Sequence, residues 1–142
     1  MATPSHLAGA QLKIRPATKD DIPAMNDVYF HSFNAPFWQY ITPDNAANRA
    51  WFEESWAMSL DNPTDRNFVV EDTAKGDRIV AFSRWMVPQD DGNQERKGPE
   101  PLHDQWDMEV MGAFFGGMAS NRREMMGKRP HWCSCFRPAC LV

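Results

Sequence analysis

The side chains best able to do chemistry fall into a few groups along the sequence. His131, Cys133, Cys135 and Cys140 bring one imidazole and three thiols together near the end of the chain. Thiolates and imidazole are what tetrahedral zinc takes. C-x-C-x4-C is not a common finger spacing, however, and Pro138 interrupts it. No metal ligand set is assigned, and a zinc-dependent interaction module is kept as a minor alternative. His31, with Asp27 and Asn34, sits near the end of an amphipathic stretch. A base there is conceivable, although an exposed helix histidine is the ordinary reading. His103, Asp104 and Glu109 match no metal-ligand spacing. Phe30, Phe33, Phe37, Trp38 and Tyr40 crowd one short segment. Their ordinary reading is packing over a sheet.

Positioning these groups needs a folded domain, and the composition allows one. The chain has 142 residues, 42% hydrophobic and 24% charged, enough for the core of a single domain spanning residues 1–142. A net charge of −4 gives no electrostatic footprint for nucleic acid or an anionic membrane. The first fifteen residues, MATPSHLAGAQLKIR, hold no apolar run suited to a signal peptide, and no later run is long enough to span a bilayer. Cytoplasm is the expected compartment. Three cysteines, all after residue 130, give no disulfide framework.

The elements follow from periodicity. Residues 11–15, QLKIR, alternate with Leu12 and Ile14 on one face and predict a strand ending at Pro16. Residues 20–33 change to a helical period through Ile22, Met25, Tyr29 and Phe33, with Asp20 as the cap and Pro23 tolerated in the first turn. Asn34–Ile41 reads as an aromatic loop. Thr42-Pro43-Asp44 predicts the start of a second helix over 43–60, with Ala47, Ala50, Trp51 and Met58 on its inner face. Residues 68–87 form the clearest signal, a hairpin whose two β-prone runs flank Asp72–Arg78 and Gly76. In its second strand Ile79, Ala81, Ser83, Trp85 and Val87 face one way, and Val80, Phe82, Arg84 and Met86 the other. Neither set is fully polar, so protein is expected on both faces. Residues 88–105 read as a long loop, residues 106–126 as a Met-rich core helix weakened by Gly112, Gly116 and Gly117, and residues 131–142 as an irregular tail. The fold class is α+β: a mainly antiparallel sheet of three to four strands with three helices.

This ordered set resembles the N-terminal half of the GNAT superfamily of N-acetyltransferases. LKIRPATKDDIPAMNDVYFHSF is similar to that family's first strand and helix, and NFVVEDTAKGDRIVAFSRWMV to its second and third strands. WDMEVMGAFFGGMASNRREMMGKRPHW resembles an extra helix that some members insert before the fourth strand. The resemblance spans about residues 11–132. It implies an acyltransferase carrying acetyl from acetyl-CoA to a small-molecule or peptide amine. It also implies that the segment between the first helices lines the acceptor side of the cleft, making Phe33, Phe37 and Trp38 acceptor contacts.

The family's pyrophosphate turn, Q/R-x-x-G-x-G/A leading into a helix, is not found in the 142 residues. Glycines there would let the backbone close on the anion, and the helix N-terminus would supply positive charge. The nearest match, Gln89-Asp90-Asp91-Gly92-Asn93-Gln94, lacks the final small residue and sets two carboxylates against a phosphate. Gly116-Gly117 lies inside a helix, where packing or a kink explains it. No cofactor-binding or catalytic residue is therefore assigned. The expectation is a truncated, catalytically incompetent acetyltransferase half that does not bind acetyl-CoA in the family manner. The alternative is a non-catalytic small-molecule or protein binding module. An uncovered sheet edge also predicts self-association.

Overall fold

The computed structural model describes residues 11–92 and 98–134. Its sheet has four antiparallel strands in the order β1-β2-β3-β4, giving the α+β architecture expected. The strands are β1 (Leu12–Pro16), β2 (Asp65–Asp72), β3 (Arg78–Met86) and β4 (Cys133–Ser134). Helices α1 (Ile22–Ser32), α2 (Pro36–Ile41) and α3 (Ala46–Asp61) precede the hairpin. After the long connection, α4 (Met108–Met111), a π-helical stretch (Gly112–Gly116) and α5 (Gly117–Met126) form a second helical region.

The turn into α1 is built on charge. Thr18 caps a 3₁₀ turn, Lys19–Asp21, in a reciprocal box with Asp21. Asp21, rather than Asp20, then stands at the α1 N-cap, because its carboxylate is fixed from two directions. The Thr18 backbone N–H donates to Asp21 Oδ2 at 2.7 Å. Arg15 donates through Nη1 and Nη2 to both Asp21 oxygens, at 2.7 and 2.8 Å, and through Nε to Glu71 at 2.6 Å. One guanidinium thus ties β1, the helix entry and β2 together.

Beyond α1, the aromatic segment is helical instead of a loop. Pro36 occupies the first turn of α2, where its missing N–H costs nothing. α3 begins at Ala46, later than the Thr42-Pro43-Asp44 signal predicts, because Asn45 is the functioning cap: its Oδ1 accepts from the Asn48 N–H at 2.9 Å. Its buried face also differs. Asn48, Trp51, Phe52, Ser55, Trp56 and Ser59 point inward, whereas Ala50 and Met58 are exposed. The three polar residues of that stripe are inside because most of them find buried partners. Asn48 Oδ1 accepts from the Trp106 indole at 2.6 Å. Ser59 donates to Asp65 at 2.5 Å and accepts from Asn67 at 3.1 Å. Arg84 closes that group, its Nη2 lying 3.1 Å from Asp65 Oδ2 and its guanidinium 5.8 Å from the Trp56 ring centre.

The core lies between the helices and one face of the sheet. Met25, Tyr29, Phe30, Ile41, Trp51, Phe52, Trp56, Val69, Trp106, Met111 and Phe115 form it, with Ile79 and Phe82 packed against them. Tyr29 stacks 4.2 Å from Phe52 and 5.0 Å from Phe33, contacts that add about 0.5–1.5 kcal/mol each beyond their buried area. Two indole N–H bonds hold the long connection down: Trp106 on Asn48, and Trp51 on the Glu100 carbonyl at 2.7 Å.

Simple alternation fails at one point in the hairpin. A register shift between Val70 and Glu71 pairs Glu71 with Ile79 and Val70 with Ala81, leaving Val80 as the extra residue. Ile79 therefore joins Phe82 on the covered face, opposite to the alternation expected. The other face is open among the described residues, not covered on both sides as expected. Leu12 is 55% exposed, Ile14 70% and Trp85 38%.

The last helical region starts at Met108, capped by Asp107, whose Oδ1 accepts from the Val110 N–H at 3.0 Å. The glycine pair falls in or beside the π-helical stretch. A Cβ at Gly112, Gly116 or Gly117 would meet nothing within 4 Å, so irregular helix geometry, not close packing, accounts for them. Only Met111, Phe115 and Ala119 are buried here. Met118 and Met125 face outward, contrary to a wholly core helix. β4 covers β3 at Trp85 and Met86. The rest of the tail, with Cys135 and Cys140, lies outside the described residues. No described helix is long and apolar enough to cross a membrane.

Candidate binding cleft

A cleft of about 990 Å³ opens between α1, the α2–α3 corner and the tip of the β2–β3 hairpin. Among the α1 residues that line it are Ala24, Asp27, Val28 and His31. They recur at three- and four-residue steps and so share a helix face, beside the face that carries Met25 and Tyr29 into the core. Asn34 and Gln39 come from the next turn and α2, Asp44 and Arg49 from the entry to α3. Asp77, Arg78, Ile79 and Val80 form the opposite wall.

The hairpin tip takes this shape for a backbone reason. Gly76 and Asp77 both have positive φ, 67° and 59°. Asp is among the few side-chain-bearing residues that tolerate this region. The turn and the bulge at Val80 together present residues 77–80 to the cleft.

One side of the cleft is electrostatically closed. Arg49 donates through Nε and Nη2 to the two Asp44 oxygens, at 2.5 and 3.0 Å, and through Nη1 to Asp27 at 2.7 Å. Its guanidinium also lies 4.9 Å from the Phe30 ring centre. These hydrogen bonds hold the Asp44 carboxyl below its usual range and the Arg49 guanidinium above its own. The other groups are unspent. His31, Asp77 and Arg78 make no side-chain hydrogen bond or ion pair among the described residues. Of the carboxylates and guanidiniums on the walls, three carboxylates face two guanidiniums, one negative charge in excess. Ala24, Val28, Phe30, Ile79 and Val80 supply an apolar lining between them. Such a cleft suits a small organic cation with an apolar body.

His31, Asp27 and Asn34, grouped in the sequence by proximity alone, do line one cleft. Phe33, Phe37 and Trp38 do not. They form a separate aromatic cluster with Phe114, with Phe33–Trp38 at 4.9 Å, Phe37–Trp38 at 5.3 Å and Phe37–Phe114 at 5.1 Å. Phe33 and Trp38 are half-buried against the core. Beside them Tyr40 donates to Asp107 at 2.5 Å. Sequence reading did not single out Arg49, Asp44, Asp77 and Arg78 as site residues. An Arg five positions after an Asp at a helix entry is a weak signal, and the hairpin tip meets α1 only through the fold.

The described residues do not fit a coenzyme A pyrophosphate. Gly92 donates its N–H to the Gln89 carbonyl at 3.0 Å, closing a tight turn. Its α-carbon is packed against Gly127 and Lys128. Among the described residues no group of three or more His, Cys, Asp or Glu side chains could hold a metal ion. His103, Asp104 and Glu109 thus make no ligand set. Cys133 accepts a 3.5 Å hydrogen bond from Arg122. Compared with protein-family models and with curated proteins, the sequence has no significant match to either.

Proposed function

We propose that this chain forms the acceptor-binding half of a GNAT-type N-acetyltransferase fold and takes an amine in the α1–hairpin cleft. The supporting observation is the arrangement β1, α1, α3, β2, β3, β4, antiparallel in sequence order with the helices on one face. That is the arrangement the resemblance implies for the first half of such a domain. In the cleft an ammonium would be attracted to Asp27, Asp44 and Asp77, while Val28, Ile79 and Val80 cover its apolar body. No step with acetyl-CoA is derived, because the phosphate cradle it needs is not among these residues.

The absence of that cradle among the described residues favours binding without transfer. Calorimetric titration with acetyl-CoA is expected to give no saturable binding, and a micromolar constant would overturn this. For the amine, 2-phenylethylamine is expected to shift the amide resonances of Asp27, His31, Asp77 and Arg78. Shifts scattered over the surface, or none, would remove the cleft from consideration.

A second reading, self-association, rests on the sheet. Among the described residues the outer edges of β1 and of β3 between Arg78 and Ser83 carry no strand, and Leu12, Ile14 and Trp85 are exposed beside them. Edges of this kind template pairing with a second copy. Ile14→Lys is expected to reduce concentration-dependent association in sedimentation runs. A native chain that stays monomeric at high concentration would refute the idea.

A further inference from the structure

We infer that the amine accepted by this cleft also carries a carboxylate, so that its ligand class is the zwitterionic α-amino acid with an apolar side chain. The inference rests on the cleft being the amine site. It is carried by the contrast between the two guanidiniums that line it.

Arg49 has three of its nitrogens bound to Asp44 and Asp27, between 2.5 and 3.0 Å. It is neutralised by the protein and has little capacity left for a ligand. Arg78 stands on the opposite wall with no side-chain partner among the described residues. An arginine fork presents five donors suited to a planar carboxylate. Asp77 precedes it, and the positive φ of Gly76 and Asp77 fixes where the pair stands. Asp27 and Asp44, shared by a single Arg49, keep an excess of one negative charge on the far wall. The α1–α3 side therefore carries one spare negative charge, and the hairpin side, neutral in sum through Asp77, offers a guanidinium without a side-chain partner among the described residues. A ligand bearing an ammonium and a carboxylate answers both, and one bearing only an ammonium leaves Arg78 unanswered. Between the walls Val28, Ile79, Val80 and the Phe30 ring give an apolar surface for the side chain. Their aliphatic and aromatic lining excludes a second charged group as the preferred side chain.

The test uses the 142-residue chain and three probes that differ by one group. L-phenylalanine carries both charges, 2-phenylethylamine lacks the carboxylate, and 3-phenylpropanoate lacks the ammonium. Dissociation constants are read from amide shifts of the cleft residues. Phenylalanine is expected to bind about fivefold tighter than the amine, the gain from one solvent-accessible ion pair, and 3-phenylpropanoate more weakly than either. Arg78→Gln is expected to erase the difference between phenylalanine and the amine. Arg66→Gln, an exposed arginine outside the cleft, is expected to change nothing. Equal binding of phenylalanine and the amine to the native chain would overturn the inference and leave the amine site standing. A difference that survives Arg78→Gln would also overturn it. Failure of both amines to bind would refute the amine site itself, and the inference with it.

Discussion

Replacing Asp21 by Asn probes the junction on which the first layer of the fold depends. Hydrogen bonds from Arg15, chiefly, and from the Thr18 backbone hold the Asp21 carboxyl at about 2, against an ordinary 3.8, with burial opposing them. A difference of that size corresponds to about 2 kcal/mol of stability at pH 7. Arg15 is 29% exposed, so solvent screening trims this to about 1–2 kcal/mol. The folded value is depressed, so this stability is fully present once pH exceeds the unfolded value of 3.8. It is lost as pH falls from there through about 2. Asn keeps the shape of the side chain and an oxygen that can accept the Thr18 N–H, so the substitution removes chiefly the charge. Urea unfolding followed by tryptophan fluorescence reads the effect. At pH 7 the variant is expected to be about 1–2 kcal/mol less stable, a midpoint shift of about 0.5–1 M urea. The gap should narrow steadily as pH is lowered from 5 towards 2. A difference that is the same at pH 7 and pH 3 would refute the ionic account, as would no difference at pH 7.

Two further substitutions test how the layers are joined. Arg84→Met strips the buried Asp65 carboxylate of its guanidinium and is expected to cost about 3–5 kcal/mol in urea unfolding, with the double variant Arg84→Met/Asp65→Leu recovering much of it. Equal losses in the single and double variants would count against a charge effect. Gly92→Ala would set a Cβ 2.5 Å from the Gly127 carbonyl oxygen and 2.9 Å from the Lys128 α-carbon, at φ +72°. It is expected to lower stability by about 2–4 kcal/mol. Gly76→Ala, at φ +67° with nothing within 4 Å, should cost only about 1 kcal/mol. Equal thermal midpoints for the two variants would show that the loop does not bear on the end of α5.

Local chemistry was readable in the order of residues. Leu12–Pro16, the α1 stripe through Met25 and Tyr29, and the Asp72–Arg78 turn all express backbone and periodicity rules acting within a few positions. The α+β class and the antiparallel hairpin therefore followed from the sequence alone. Where polar residues go inside, hydrophobic periodicity misleads. Asn48, Ser55 and Ser59 define the inner face of α3, and the partners of Asn48 and Ser59, at Trp106, Asp65 and Asn67, lie 58, 6 and 8 positions away. The bulge at Val80 turned Ile79 to the opposite face, because register is set by pairing between strands and not by alternation along one. The cleft is a tertiary product for the same reason. Asp27 and His31 on α1, Arg49 on α3 and Arg78 on the hairpin are far apart in the chain, and charges so placed share one field only after helices and sheet have packed. The sequence determined which groups were available. The fold decided that Arg49 is spent within the protein and that Arg78 stands on the cleft wall without a side-chain partner among the described residues.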